Sequence, residues 1–461
     1  MTKSTEIRTP EAGVAARPTR ARHGVVAFAA SVAALTYVDR VCISKAEPFI
    51  TKEFHLTPGE MGYVFAAFGV GYALFEVPGG WLGDRIGARK VLTRIVLWWS
   101  FFTAATGRAW NLWSLIVTRF LFGVGEAGCF PNVARALKTW LPENERVRAQ
   151  SIVWLSARWG GAFTPFLVVF FLDVMPWRSV LYVFGAVGVL WSILFYRWYR
   201  DNPRDLKGAN PAEVAFIEGA AGAPAPAAGP TPWKAMAASR TVWLICLQYC
   251  CLAYAWIFYV TWLPKYLVDV LKVDGKWGAF LNTLPLFLGG IGCMVCGSVL
   301  SAVVRWTGSV RTGRRIVGCF GFGAASMLLL LSFYMKDPLW AMIAMGFASF
   351  ANDFVMPVSW AAAMDVGGRH TGTLSGVMNM ASAVGGSLAP VLTGKLLAVR
   401  GGWEINFWIS AAVYLLGFVC WLFLDPVTPL PETKGEENIC TEPSSVPSSS
   451  TFPRPDGATT M

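Results

Sequence analysis

Two opposite charges, Asp39 and Arg40, stand side by side in an otherwise apolar run from Gly24 to Ile43. A charged side chain at bilayer depth costs about 2.5–3.5 kcal/mol on insertion scales. Such groups usually face a bundle interior or a water-filled cavity and mark a substrate or proton path. A second charged set lies in a later apolar run. There Arg119 precedes Glu126 by seven residues, which is two helical turns on one face. A desolvated carboxyl group favours its neutral form, and a nearby cation favours the charged one. A pair of this kind serves either as a proton carrier or as a static ion pair that fixes helix packing. Glu76, Asp353 and Arg158 are further ionisable residues inside apolar runs. Arg158 reads as a second anion grip or as the partner of one of the acids. Covalent chemistry has little to work with. H-E-x-x-H and G-x-S-x-G are absent, and the three histidines (His23, His55, His370) fall in connections or at run edges. Cys293 and Cys296 form a C-x-x-C inside an apolar run and read as small buried residues rather than a metal or redox pair. No enzyme, no metal and no cofactor is expected, only a coupling ion. A sensor would usually bring an output domain, and only a short linker and tail are left over for one.

The elements that position these charges follow from composition. The chain has 461 residues, 55% hydrophobic and 15% charged, with mean hydropathy +0.48; soluble chains carry about 25% charged residues. Twelve apolar runs are long enough to span a bilayer: 24–45, 61–83, 90–109, 111–134, 149–173, 178–198, 240–264, 278–304, 314–335, 338–364, 371–398 and 403–424. They are continuously apolar rather than alternating, which excludes a barrel. An all-α integral membrane protein of twelve transmembrane helices is expected, with 22 tryptophans available as interfacial anchors.

The net charge of +11 is not a nucleic-acid signature, because the cations gather in alternate connections. Arg8, Arg17, Arg20 and Arg22 precede the first run; Arg85, Arg89, Lys90 and Arg94, then Arg135, Lys138, Arg146 and Arg148, then Arg305, Arg311, Arg314 and Arg315 follow. The positive-inside rule places these connections and both termini in the cytoplasm.

The chain divides into a tail (1–23), a six-helix bundle (24–199), a linker (200–239) with an Ala/Pro/Gly-rich centre, a second six-helix bundle (240–425) and a Pro/Ser/Thr-rich tail (426–461) expected to be disordered. The bundles repeat one another. Gly160-Gly161 with Pro165 recurs as Gly385-Gly386 with Pro390, Trp177 as Trp403, and Pro131 as Pro357. Two parallel, pseudo-symmetric halves suit a transporter with a site at their interface.

The connection Gly80-Trp81-Leu82-Gly83-Asp84-Arg85-Ile86-Gly87-Ala88-Arg89-Lys90 resembles the G-x-L-x-D-R-x-G-R-K signature of the major facilitator superfamily. Gly80, Asp84, Arg85, Gly87, Arg89 and Lys90 are the candidate cytoplasmic gate. The second-half counterpart has Ala302 in place of the acid, so its gate is expected to be weaker or built differently. Arg119, Gly123 and Gly125 resemble the superfamily's R-x-x-x-G-x-G motif, often assigned to proton coupling. Tyr37-Val38-Asp39-Arg40, Gly125-Glu126-Ala127 with Phe130-Pro131, Trp262-Leu263-Pro264 and Ser375 to Asn379 are similar to the anion:cation symporter family. That family includes bacterial hexuronate, galactonate and glucarate transporters, phthalate-type permeases and animal sialin and vesicular glutamate carriers.

The resemblance implies roles. Arg40 would grip a substrate carboxylate; Asp39, Glu126 and Arg119 would handle protons, with sodium as the alternative ion. Tyr37, Tyr72, Asn379, Arg158, Tyr254, Ser359 and Trp360 would contact substrate. Glu76 stands where relatives often carry glutamine. The expected function is proton-coupled uptake of an organic anion such as a hexuronate, aldonate or aldarate. The alternatives are an aromatic or dicarboxylic acid such as a phthalate, or an efflux antiporter. The expected setting is a monomer in the lipid bilayer of a bacterial inner (plasma) membrane.

Overall fold

The computed structural model describes residues 17–221, 230–273, 275–397 and 402–430. The tail beyond residue 430, the N-terminal stretch with Arg8 and the linker centre at 222–229 lie outside the described residues. The chain forms sixteen α-helices among those described: α1 (Ala21–Phe54), α2 (Pro58–Ile86), α3 (Ala88–Thr106), α4 (Leu112–Glu126), α5 (Cys129–Trp140), α6 (Glu143–Val174), α7 (Trp177–Trp198), α8 (Pro211–Ala221), α9 (Trp233–Ala238), α10 (Arg240–Thr261), α11 (Leu263–Asp269), α12 (Gly275–Thr307), α13 (Val310–Tyr334), α14 (Pro338–Gly367), α15 (Thr371–Leu397) and α16 (Gly402–Phe423).

Among the described residues, ten stretches are long and apolar enough to cross a bilayer. One of them, Pro338–Leu397, turns back at Gly368, where φ is 53°, and so makes two spans. The twelfth is α3, whose first two turns hold Arg89, Lys90 and Arg94. The protein is thus a twelve-span, all-α membrane protein.

The apolar runs 111–134 and 240–264 read as unbroken spans, and the chain breaks both. The fourth span separates into α4 and α5 at Gly128, whose left-handed φ of 78° only glycine adopts without strain. The seventh separates into α10 and α11 at Trp262, just before Pro264 in the first turn of α11.

The pairing of helices repeats between halves. In the first half α1 packs on α6, α2 on α4 and α3 on α7; in the second, α10 packs on α15, α12 on α14 and α13 on α16. The halves meet through α2 with α15 and α6 with α12, again a symmetric exchange. At one meeting point the backbones touch: a Cβ on Gly372 would stand 2.4 Å from the Gly80 carbonyl oxygen. Only glycines allow that approach.

Candidate functional site

Arg40 sits midway along α1, and Glu126 ends α4 just before the Gly128 break. Arg40 Nε donates to Glu126 Oε1 at 2.5 Å. The Arg40 side chain remains 22% exposed while Glu126 is sealed at 0%. Nη2 is buried and has no hydrogen-bond partner. Three rings frame the guanidinium, with Tyr37, Phe68 and Tyr72 centroids 5.4, 5.2 and 4.6 Å from Cζ. An anion arriving here would meet a half-used guanidinium fork, the geometry that matches a carboxylate.

Asp39 points the other way, into the first half. It is buried, and neither carboxylate oxygen has a hydrogen-bond partner. Arg119 and Glu126 are its charged neighbours, with Trp99 and Thr103 beside it. Arg119 is buried over the Phe122 ring at 4.2 Å. Asp39, Arg119, Glu126 and Arg40 therefore form one chain of charges through the first half.

The second half enters through α15. Asn379 Nδ2 donates to Tyr72 Oη and to Glu76 Oε1, both at 2.9 Å. Glu76 is fully buried and its Oε2 has no partner. Arg158 on α6 forms a paired bridge to Asp353 on α14, Nε to Oδ2 and Nη2 to Oδ1, each 2.8 Å. The structure thus gives Arg158 an acidic partner from the opposite half.

Below these charges lies a floor of aromatic rings. Phe130 stacks on Trp154 at 4.7 Å, Trp154 meets Trp360 at 5.5 Å, and Trp360 Nε1 donates to Tyr249 Oη at 2.7 Å. Trp360 therefore reaches the first half, as a wall residue should. Ser359 does not join the charged groups: its hydroxyl donates to Gln248 Oε1 and to the Val355 carbonyl within the second half. Tyr254 is buried with its hydroxyl unpartnered, and the floor contact from α10 is made by Tyr249 instead.

At the basic end the halves are locked. Asp84 accepts from Arg135 Nη1 at 2.7 Å, from the Gly372 and Thr373 backbone N–H groups at 2.9 and 2.6 Å, and from Thr373 Oγ1 at 2.7 Å. It thus caps α15 while holding a cation of its own half, as a carboxylate at a helix N-terminus is favoured to do. Lys138 Nζ donates to the Met364 and Gly368 carbonyls. Asp365, on α14, lies between Arg146 of the first half and the fully buried Arg314 of the second. Gly80 meets Gly372 across the halves, while the remaining gate candidates stay inside the first half. Arg85 covers Trp81, Gly87 makes the α2–α3 turn at φ 89°, and Lys90 is exposed. Arg89 donates to the Tyr196 carbonyl, and its backbone N–H to Asp201. Burial at that turn pushes the Asp201 carboxyl up from its ordinary range.

Residues 29–390 match the model of the Major Facilitator Superfamily. The chain belongs to that superfamily. This facilitator is 33% identical over 411 residues to a probable sulfoacetate transporter of Cupriavidus necator, covering 88% of this chain and 95% of the relative. It is 30% identical over 421 residues to a D-galactonate transporter of Escherichia coli, covering 89% and 97%. A hexuronate transporter of Bacillus subtilis matches at 24% over 418 residues, covering 90% and 97%. In fold it is similar to the proton:xylose symporter solved with 6-bromo-6-deoxy-D-glucose, with TM-score 0.68 at 13% identity over 88% of this chain and 97% of that one. The facilitator is a multi-pass membrane transporter and not an enzyme.

Three residues that hold the basic end together escape a reading by motif: Lys138, Arg314 and Asp365. Asp365 left one trace, as a lone acid after the apolar stretch Ala361 to Met364. It supplies the closure that Ala302 cannot, so the second half's lock is built from α14 rather than from the α12–α13 turn.

Proposed function

We propose that this facilitator imports a small organic anion, of the sugar-acid class, together with protons. The observation that carries the reading is the Arg40–Glu126 pair, with Nε held by the acid, Nη2 unpartnered and the Arg40 side chain still partly exposed. A substrate carboxylate and Glu126 compete for the same cation. When substrate takes Arg40, Glu126 loses its hydrogen-bonded counter-ion and keeps only Arg119 nearby, and a buried carboxylate whose ion pair is broken takes a proton more readily. Substrate binding and proton uptake are thereby linked at one residue. Asp39, next to Arg119 and Glu126, extends the proton path through the first half. Tyr37, Tyr72 and Asn379 supply hydroxyl and amide groups for a polyhydroxylated chain.

The relatives support the anion class, because sulfoacetate, galactonate and hexuronates each carry at least one acid group ionised at neutral pH on a short carbon chain. The basic end reads as cytoplasmic by the positive-inside rule, which places the described termini inside and a closed gate on the cytoplasmic face. On that orientation the site takes its load from outside. A bacterial inner membrane fits the bacterial relatives.

A second reading, import of an aromatic or dicarboxylic acid, draws on the stacked floor of Phe130, Trp154 and Trp360. Competition separates the two. Uptake of labelled D-galactonate into proteoliposomes is expected, with unlabelled galacturonate and gluconate as effective competitors and phthalate as a weak one. Failure of every acid to enter, or phthalate as the strongest competitor, would contradict the sugar-acid reading.

A further inference from the structure

Beyond Arg94, α3 carries no ionisable residue, yet it holds two buried polar groups with nothing to bond. Trp99 and Thr103 lie one turn apart on one face of α3, and neither Trp99 Nε1 nor Thr103 Oγ1 has a hydrogen-bond partner. A helix threonine ordinarily turns its hydroxyl back onto the carbonyl four residues earlier, as Thr36 does to Val32, Thr106 to Phe102 and Thr118 to Ser114. The buried indoles of Trp140, Trp191 and Trp421 each donate a hydrogen bond. Asp39 presents what the two donors lack. Both of its carboxylate oxygens are buried without a partner, and Trp99 and Thr103 are its neutral neighbours. Helix rise brings these groups level. Trp191 Nε1 of α7 donates to Ser31 Oγ of α1 at 2.8 Å, and Asp39 lies eight residues further along α1, about 12 Å. The same rise along the opposed α7 leads from Trp191 back to Val183, just past Gly185. On α3, Ser100 meets Gly188 and Ala104 meets Gly185, where an added Cβ would stand 2.0 and 3.3 Å from their side chains. Thr103 is therefore at the depth of Asp39, with Trp99 one turn nearer the basic end.

An indole N–H only donates, and a threonine hydroxyl facing a carboxylate donates to it. Two unused donors thus stand opposite two unused acceptors. The charged and titratable groups facing Asp39 are Arg119 and Glu126 from α4 and Cys42 one turn along its own helix. On the other helices against α1, Arg158 of α6 is held by Asp353, Cys129 of α5 faces Glu126, and Glu76 of α2 is held by Asn379. α7 has no ionisable residue between Tyr182 and Tyr196. We propose that Trp99 and Thr103 are positioning residues for the coupling proton, closing onto Asp39 as it loses that proton to water and parting from it as the proton returns. This assignment rests on the proton-coupled reading above and brings α3 into it. The two donors transfer no proton themselves. They lend hydrogen bonds that favour the charged carboxylate, and without them Asp39, buried beside Glu126, gives up its proton less readily.

Initial uptake of labelled D-galactonate into proteoliposomes of the full-length protein, followed against external pH, tests this. Thr103→Val keeps the shape and removes the hydroxyl, and Trp99→Phe removes the indole N–H. Each loss disfavours the charged form of Asp39. The pH at which uptake falls to half should therefore move up, by about one unit in each variant. Thr103→Val carries the test if Trp99→Phe does not fold. In an Asp39→Asn background there is no carboxylate to receive the hydroxyl, and Thr103→Val should leave the pH dependence of galactonate exchange unchanged. A half-point that stays in place or moves down in Thr103→Val, or a shift that persists in the Asp39→Asn background, overturns the assignment. A wild type whose uptake does not depend on pH would instead overturn the proton-coupled reading, and this assignment with it.

Discussion

Arg40 gives its Nε to Glu126 at 2.5 Å and keeps Nη2 without a partner. One residue is thereby counter-ion to a sealed acid while its own side chain stays partly exposed. Arg119 and Asp39 are buried near Glu126, as its charged neighbours in the first half.

Replacing Arg40 should separate grip from fold. Arg40→Ala leaves Glu126 buried and unpaired, which costs about 3–5 kcal/mol when one partner of a buried pair is removed. Arg40→Lys keeps a charge but presents a point rather than a fork. Binding of D-galactonate, read by calorimetry, is expected to fall about tenfold or more in Arg40→Lys and to vanish in Arg40→Ala/Glu126→Gln. A Lys variant with wild-type affinity would show that the fork is not used.

Asp84 should govern access from the basic end. It accepts four hydrogen bonds, three of them from the N-terminus of α15. A hydrogen bond to a charged group contributes about 1.5–3 kcal/mol, so losing even one moves the open population about tenfold. Asp84→Ala in the presence of Ser375→Cys should raise maleimide labelling from the basic side about tenfold over the same reporter with Asp84 intact. Unchanged labelling would assign the closure to Asp365 and Lys138 instead.

The Gly80–Gly372 contact predicts a steric counterpart. A Cβ on Gly80 would lie 2.1 Å from the Gly372 carbonyl oxygen, backbone that cannot move aside alone. Gly80→Ala should prop the basic end open, raising the same labelling and slowing uptake about tenfold. Transport at the wild-type rate would mean that the halves close without this contact.

Asn379 and Glu76 meet across the halves at 2.9 Å. Asn379→Ala removes the donor to both Glu76 and Tyr72, at about 1–3 kcal/mol for a buried acceptor left unmet. KM is expected to rise about tenfold or more. Glu76→Gln retains an amide oxygen for the Asn379 hydrogen bond, and its uptake should stay within about threefold of wild type. A dead Glu76→Gln would make the acid, and not the hydrogen bond, the working part.

Much of this architecture was legible because it is local. Apolar runs, the Asp39–Arg40 doublet and the two-turn spacing of Arg119 and Glu126 are read along one helix. The break at Gly128 is local too, yet the run 111–134 reads as unbroken and only the structure shows it. What could not be read is set by rotation and by distant chain. Tyr249 and Tyr254 are five residues apart on α10, and only packing decides which reaches Trp360. Arg158 offered two roles until α14 brought Asp353 to it from 195 residues away. The same holds for Asp84, whose α15 partners lie 288 and 289 residues on.

Glu126→Gln in proteoliposomes, with an imposed inward proton gradient, tests the central claim most directly. The wild type should accumulate labelled D-galactonate above equilibrium. The variant should still exchange labelled for unlabelled substrate at a comparable rate, because Arg40 remains, yet should fail to accumulate it. Accumulation by Glu126→Gln to the wild-type level under the same gradient would contradict proton coupling at this residue.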